Sequence, residues 1–350
     1  MEFKVFKSHV TRKDHPNADL LDLVVVGEYQ FVAQKGIYQT GDVAIVIPDK
    51  SIVPPYIQKD FINYLKGPDK NRVGSVRLRG EFSQGILLNR VEAEKILGKS
   101  LDDFEFDVDV SELLGITKYV PYIPPSMAGV QKHFEGHSHY FDAVQYSAFE
   151  SEFEDDEIVV ASEKVHGSQT NYILNFLTNK ETVSSKGLLD KGVEIEEDPN
   201  NLYWKAARNS KLREAAEFAK INFPEATQIQ IVGEVIPCQG GYNYGAAEPR
   251  ILVFNITLSN PSLTKSFIPL NTKISWPLET VPVLMIGRYG DIKDQLRAMS
   301  EGKEQVSGKE LHIREGIVVR PEVDRKAANG TWLRLKIINP KYKETGEELS

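Results

Sequence analysis

The stretch SEKVHGSQTNYIL, residues 162–174, follows the apolar run IVVA and ends in the alternating run TNYIL, and it sets Lys164 beside His166 and Gly167. DEIVVASEKV and TNYIL both read as strands, so Lys164 falls at a strand end. Glycine after such a lysine lets a ligand come close to the backbone, because it has no side chain to obstruct the approach. Lysine can attack phosphorus as a neutral amine. Its reference pKa of about 10.4 leaves little neutral form at pH 7, so a catalytic lysine needs nearby cations or burial. Taken alone, K-x-H-G is better explained by a surface lysine next to a turn.

Further strands are predicted at QIQIVGEVI, RILVFNI, GIVVRP and TWLRLKII, many of them buried. NLYWKAARNSKLREAAEFAK and DIKDQLRAM have apolar residues at helical spacing. The helices do not alternate regularly with the strands, which predicts an α+β domain on antiparallel sheet over residues 156–350. Upstream, residues 1–113 carry short β-rich runs, VFKSHV, LLDLVVV, YQFVAQK, DVAIVIP, GSVRLRG and GILLNR, followed by a short helix at RVEAEKILG. That spacing predicts a small closed or partly open barrel, with an OB-like fold as the natural candidate. Residues 114–155, rich in proline, glycine and histidine, read as a linker.

The bulk numbers narrow the class. With 350 residues, 41% hydrophobic and 26% charged, the chain has material for two domains and reads as a soluble globular protein. No apolar run approaches the roughly 20 residues that span a bilayer, and the N-terminus lacks an apolar signal core, so a cytoplasmic protein without membrane contact is expected. The single cysteine, Cys238, excludes an intrachain disulfide framework. A formal charge of −8 argues against a general nucleic-acid coat protein but leaves room for a local basic groove.

Charged residues interrupt the second-half strands at several points. In SSKG, Lys186 could touch a phosphate with help from Ser184 and Ser185, although an ordinary turn explains it equally. Glu234 breaks the apolar run of IVGEVIP, and an inward carboxylate must find a partner or shift its pKa; a ribose, a metal or an arginine would serve. Phe254 in RILVFNI is either core or a stacking face for a base. In REGIVVRP, Glu315 precedes an apolar strand. Arg334 and Lys336 in WLRLKIINP alternate with Leu333, Leu335 and Ile337, so both cations point to one face. Converging on Lys164, these groups would form a phosphate and metal site.

In this order, K-x-H-G, S-K-G, G-E, an aromatic strand, E-G-x-V-V and R-L-K, the sequence resembles the nucleotidyltransferase motifs of the covalent lysyl-adenylate ligases. The histidine of K-V-H-G resembles the RNA ligase variant. RLRGEFSQGILL and ITKYVPYIPPSMAG look like the OB domain and linker of RNA ligases in which an OB-like β-barrel precedes an antiparallel-sheet nucleotidyltransferase domain, an ATP-grasp-like ligase adenylation fold. The resemblance implies an ATP-dependent polynucleotide ligase that joins 5′-phosphate and 3′-hydroxyl ends through lysyl-AMP, with Mg2+ or Mn2+, acting in RNA repair as a monomer. Its substrate would be RNA or a nicked duplex with an RNA 3′ end.

Carried onto this chain, the resemblance makes Lys164 the nucleophile and Glu163 the reader of the adenine amine. His166 and Gly167 belong to the nucleotide-binding motif, Lys186 is a phosphate-binding cation, and Phe254 stacks on adenine. Glu234 is the ribose-binding or metal-linked glutamate and Glu315 the glutamate near the metal. Arg334 and Lys336 form the basic pair on the phosphates. Two positions depart from the pattern: Gln169 stands where asparagine is common, and Arg334 where lysine is. In the first domain, Arg72, Arg77, Arg79 and Phe82 are the candidate RNA contacts, with Arg77 and Arg79 placed on one strand face; a solvated barrel strand is the competing explanation. His133, His137 and His139 have spacing that zinc would accept, but no fourth ligand is evident and no metal is expected there. A DNA ligase and a guanylyltransferase share the chemistry, and HPNADLLDLV is similar to tRNA-binding modules, so a non-enzymatic OB-type binding protein is a third reading. The last leaves the ordered charged motifs unexplained.

Overall fold

The computed structural model describes all residues except 1–2, 28, 128, 239–241, 261–263, 268–273, 328–330 and 343–350. The chain divides into two compact units, the first running to Val120 and the second starting at Pro121. No described helix is long and apolar enough to cross a membrane.

In the first unit, β1 (Phe6–His9) pairs with β5 (Val43–Pro48), and β5 with β9 (Gly85–Asn89). A second antiparallel sheet joins β2 (Thr11–Asp14), β3 (Leu21–Val26) and β4 (Tyr29–Gln34). β6 (Ser51–Ile52) pairs with β10 (Thr117–Lys118), and β7 (Val76–Leu78) with β8 (Glu81–Ser83). Among the described residues these sheets do not close into one hydrogen-bonded ring. Where β4 meets residues 81–85, the Gln84 N–H donates to the Gln30 carbonyl oxygen, and side chains complete the contact: Ser83 Oγ accepts from the Val32 N–H and Gln84 Oε1 from the Gln30 N–H. Helix α1 (Pro55–Phe61) begins with proline where its missing N–H is harmless, and α2 (Arg90–Leu97) starts in a capping box of Asn89 with Glu92.

The second unit is built on two sheets. The larger is antiparallel, in the order β11 (Gln131–His133), β16 (Val193–Ile195), β15 (Glu181–Ser185), β14 (Ser168–Asn175), β17 (Gln228–Ile236), β18 (Arg250–Ser259) and β19 (Thr264–Phe267). Helices α5 (Leu202–Asn209) and α6 (Leu212–Asn222) cover one face, burying Trp204, Ala207, Leu212, Ala215 and Ala219 against Tyr172, Leu174, Ile229 and Ile231. The sequence pattern predicts one helix here; the chain breaks it at Lys211, whose φ of 54° is left-handed. The smaller sheet runs β12 (Val144–Gln145), β22 (Leu335–Ile338), β21 (Gly316–Pro321), β13 (Ile158–Lys164) and β20 (Val283–Arg288). Only its β12–β22 pair is parallel. α3 (Tyr146–Phe149) and α7 (Tyr289–Ser300) pack on it, sharing a core of Tyr146, Tyr289, Leu296, Ile317, Val319 and Leu335. α4 (Lys186–Leu189) is a single turn capped by Ser185. Of the stretch read as a linker, residues 131–133 and 144–145 are strands of this unit.

Candidate functional site

The period of two in a strand sends Val159, Ala161, Ile317, Val319, Leu335 and Ile337 into the smaller sheet's core. Their neighbours Val160, Ser162, Lys164, Val318, Arg320, Arg334 and Lys336 face a cavity of about 270 Å³, whose wall also includes Gln169, Glu234 and Phe254 from the larger sheet. Three glycines let these strands come together. A Cβ on Gly167 would lie 2.3 Å from the Val235 carbonyl oxygen, one on Gly233 2.4 Å from Ile251 Cγ2, and one on Gly316 2.1 Å from the Ile337 carbonyl oxygen. Each is the glycine of a charged motif, K-V-H-G, G-E or E-G.

Register decides which charges meet. Lys164 pairs with Gly316, which brings the preceding Glu315 to the nucleophile candidate: Lys164 Nζ lies 2.5 Å from Glu315 Oε1. Glu234 lies opposite Gln169 on the neighbouring strand. Burial pushes the Glu234 carboxyl up to about 8, with Lys164 pulling it down, Glu315 pushing it further up and Lys186 pulling it down. Glu163 is buried, and its Oε2 accepts from the Gln305 N–H at 2.8 Å while its Oε1 has no hydrogen-bond partner. Burial lifts this carboxyl to about 7.

Arg334 and Lys336 share the cavity but at different depths. Val318 pairs with Lys336 and with Ser162, two residues from Lys164. Arg334 precedes Leu335, the partner of Val319, and so sits beside Arg320, which pairs with Val160. Val160 is four residues from Lys164, roughly 13 Å along the strand. At that end Arg334 Nη2 donates to Asn255 Oδ1 at 2.8 Å and to Asp324 Oδ2 at 3.1 Å, and its guanidinium lies 4.6 Å from the centre of the Phe141 ring. Arg320 donates to the same Asn255 Oδ1, to the other Asp324 oxygen, Oδ1, and to the Phe254 carbonyl oxygen. Burial lowers the proton affinity of both arginines, and for Arg334 the Arg320 charge lowers it further; Asp324 offsets this only in part, so both pKa values stay below the usual arginine value. The Nε and Nη1 of Arg334 are buried without hydrogen-bond partners. The Arg334–Lys336 pair expected on the phosphates is therefore spread along the cavity, with only Lys336 near the Lys164 end.

Other expected residues stand off the cavity wall. His166 is buried in an aromatic group: its N–H donates to the Tyr244 hydroxyl, its Nδ1 meets the Tyr342 hydroxyl, and its ring lies 4.9 Å from that of Tyr242. Lys186 pairs with Asp142 at 3.0 Å; burial lowers its proton affinity, but Asp142 more than compensates and holds the pKa above the usual lysine value. Asp142 and Phe141, which line the cavity, were hidden in an irregular stretch, and Arg320 in an apolar strand. Alternation along β21 is the signal that finds Arg320, because it puts that residue on the face of Val318.

Among the described residues no cluster of three or more histidine, cysteine, aspartate or glutamate side chains could hold a metal. Glu234 and Glu315, electrostatically coupled and beside Lys164, suit an ion such as Mg2+ that takes one or two carboxylates and fills its shell with water and substrate phosphates. His133 meets the Pro121 carbonyl oxygen, and the rings of His137 and His139 meet edge to face at 4.7 Å.

In the first unit, Arg77 faces Phe82 across β7 and β8, its guanidinium 5.5 Å from the ring centre. Arg79 does not share its strand face. It lies past the end of β7 at a φ of 51°, in the turn with Gly80. Arg72 stacks on Tyr119 at 4.4 Å and, outside the named strands, bridges to Ile52 of β6.

A second hollow, of about 440 Å³ and lined by Tyr146, Asp155, Tyr289, Lys293 and Arg297, lacks this convergence. Its cations are already paired, Lys293 with Asp155 and Arg297 with Glu150.

No curated protein sequence matches the chain. Among solved structures it is similar to a Naegleria gruberi RNA ligase with PPi, at 19% identity over 97% of each chain and a TM-score of 0.44. It is also similar to a mutant of Naegleria gruberi RNA ligase with ATP and Mn, at 19% identity over 99% of this chain and 100% of that one, with a TM-score of 0.44. Residues 7–90 match a family model described as an OB-fold domain. Residues 157–338, which carry Lys164, Glu234, Glu315 and Lys336, match the model described as RNA ligase. The chain belongs to the RNA ligase family, enzymes that form phosphodiester bonds.

Proposed function

We propose that this chain is an ATP-dependent RNA ligase that seals 5′-phosphate to 3′-hydroxyl ends in RNA repair. The observation that carries the reading is the β13–β21 register, which sets Lys164 against Glu315 at one end of a cavity that Phe254 lines and whose far end holds two buried arginines. Residues 156–350 serve as the adenylation domain, residues 1–113 as an OB-like RNA-holding domain, and 114–155 join them.

ATP enters with its base toward Phe254 and Glu163 and its phosphates toward Lys336, Lys186 and Lys164. The neutral amine of Lys164 attacks the α-phosphorus; a P–N bond forms, pyrophosphate leaves with the electrons of the P–O bond, and the amine gives up a proton. Glu315, 2.5 Å from Lys164 Nζ, is placed to accept it. Glu234 and Glu315 would hold a divalent cation, Mg2+ or Mn2+, which would supply charge neutralisation on the phosphates. Lys336 favours the leaving group by the same electrostatic principle. An oxygen of the RNA 5′-phosphate next displaces Lys164 from the AMP phosphorus. The 3′-hydroxyl of the neighbouring end then attacks the 5′-phosphate and expels AMP. Positioning and charge stabilisation supply most of the acceleration in such transfers.

The test is a set of nicked duplexes incubated with protein, ATP and magnesium. Sealing of a nick with an RNA 3′ end, through an AMP-capped 5′ strand that accumulates when the terminal 3′-hydroxyl is removed, is expected. Equal sealing of an all-DNA nick would move the assignment to a DNA ligase.

A further inference from the structure

The loop that supplies the Gln305 N–H to Glu163 is organised around one buried carboxylate. Glu304 is fully buried. Its side chain accepts from the Ser307 N–H at 2.8 Å, from the Leu311 N–H at 3.0 Å and from the Ser307 hydroxyl. Three donors on one carboxylate fold residues 304–311 back on themselves, and the Glu304 N–H closes the loop on the His312 carbonyl oxygen at 3.0 Å. Arg314, also buried, ties down the preceding turn by donating to the Lys303 carbonyl oxygen through Nε and Nη2. The next residue along, Gln305, has its N–H fixed in direction by these anchors. That N–H donates to Oε2 of the Glu163 carboxyl, while the buried Oε1 has no hydrogen-bond partner among the described residues, and Glu163 is part of the cavity wall.

We propose that Glu304 is a positioning residue for base selection: it fixes the loop whose Gln305 N–H holds Oε2 of Glu163, so that Oε1 is presented to the nucleotide base. This rests on the reading of Glu163 as the group that meets the adenine amine. A carboxylate oxygen held in one direction accepts from an exocyclic amine and opposes a carbonyl oxygen at the same place, so it separates adenine from guanine. A carboxyl free to rotate separates them less well. The loop therefore sets selectivity without touching the base, and loosening it should harm ATP use while improving GTP use in relative terms. A purely structural role would lower both together.

The experiment charges the full-length protein, first freed of bound AMP with pyrophosphate, from an equimolar mixture of ATP and GTP, and reads AMP and GMP adducts by intact mass. The same ratio is read as competing equilibrium binding in a Lys164→Ala background, where transfer is blocked. Glu304→Gln is expected to lower the AMP:GMP preference about tenfold, with Ser307→Ala shifting it in the same direction by less. Glu163→Gln should abolish most of the preference. If Glu163→Gln relaxes selectivity and folded Glu304→Gln and Ser307→Ala keep the wild-type ratio, the positioning role is overturned while the reading of Glu163 stands. If Glu163→Gln itself keeps the wild-type ratio, the reading of Glu163 falls and the inference falls with it. Should Glu304→Gln fail to fold, the Ser307→Ala ratio decides.

Discussion

Glu163 and Glu234 are carboxyl groups that the fold has removed from water, with pKa values lifted to about 7 and about 8. An acid whose proton affinity is raised on folding keeps its proton while the unfolded chain has lost it. The folded state then binds more protons between roughly pH 4.5 and 8, and stability falls as pH rises through that window. The ligand-free protein should therefore lose on the order of a few kcal/mol from these two groups between pH 5 and pH 9. Glu234→Gln removes one of them, so the variant should gain on wild type in thermal midpoint at pH 9 relative to pH 5; an equal difference at both pH values would contradict the raised pKa. A bound cation reverses the sign for Glu234, since it favours the carboxylate. Glu234 was legible as a charged interruption of an apolar run, and Glu163 through the resemblance of the motif around Lys164. The groups that tune Glu163 were not, because Gln305 and Glu304 lie in a loop without periodicity.

At the scale of elements, the strand pattern was legible wherever β-branched runs are bounded by turn residues, as in DEIVVASEKV and QIQIVGEVI. It was not legible in Glu181–Ser185 or Val283–Arg288, whose residues draw their strand character from sheet neighbours. The helical period of 201–220 gave no sign of the break at Lys211, where a left-handed residue turns the second helix onto the same sheet. The motif glycines are structural as much as chemical. Gly316→Ala would drive a Cβ into the Ile337 carbonyl, and neither backbone can yield without separating β21 from β22. A loss of about 1–3 kcal/mol or more is expected in urea unfolding. A change below about 0.5 kcal/mol would mean that the strands are not so close. The same variant should impair AMP transfer, because Glu315 directly precedes the strained position.

On the scale of the whole molecule, the order of charged motifs made the second unit readable, since each motif falls at a strand end or a strand face that register then aligns. The first unit was less so. Its short strands announced an OB-like fold, but the placement of Arg79 in a turn and of Arg72 against Tyr119 depends on loops that carry no pattern. If this unit holds the RNA strand that ends in the 3′-hydroxyl, Arg72→Ala and Arg77→Ala should weaken sealing several-fold and flatten its salt dependence, while AMP transfer to the protein stays at the wild-type rate. Equal loss of both steps would give the arginines a different role. The measurement that bears most directly on the account is covalent labelling of the purified protein with α-labelled ATP or GTP and magnesium, in wild type and in Lys164→Ala. Label from ATP in preference to GTP, absent from a folded Lys164→Ala protein, is the predicted result. Label that persists without Lys164, or none in folded wild type freed of bound AMP, would contradict a lysyl-AMP ligase.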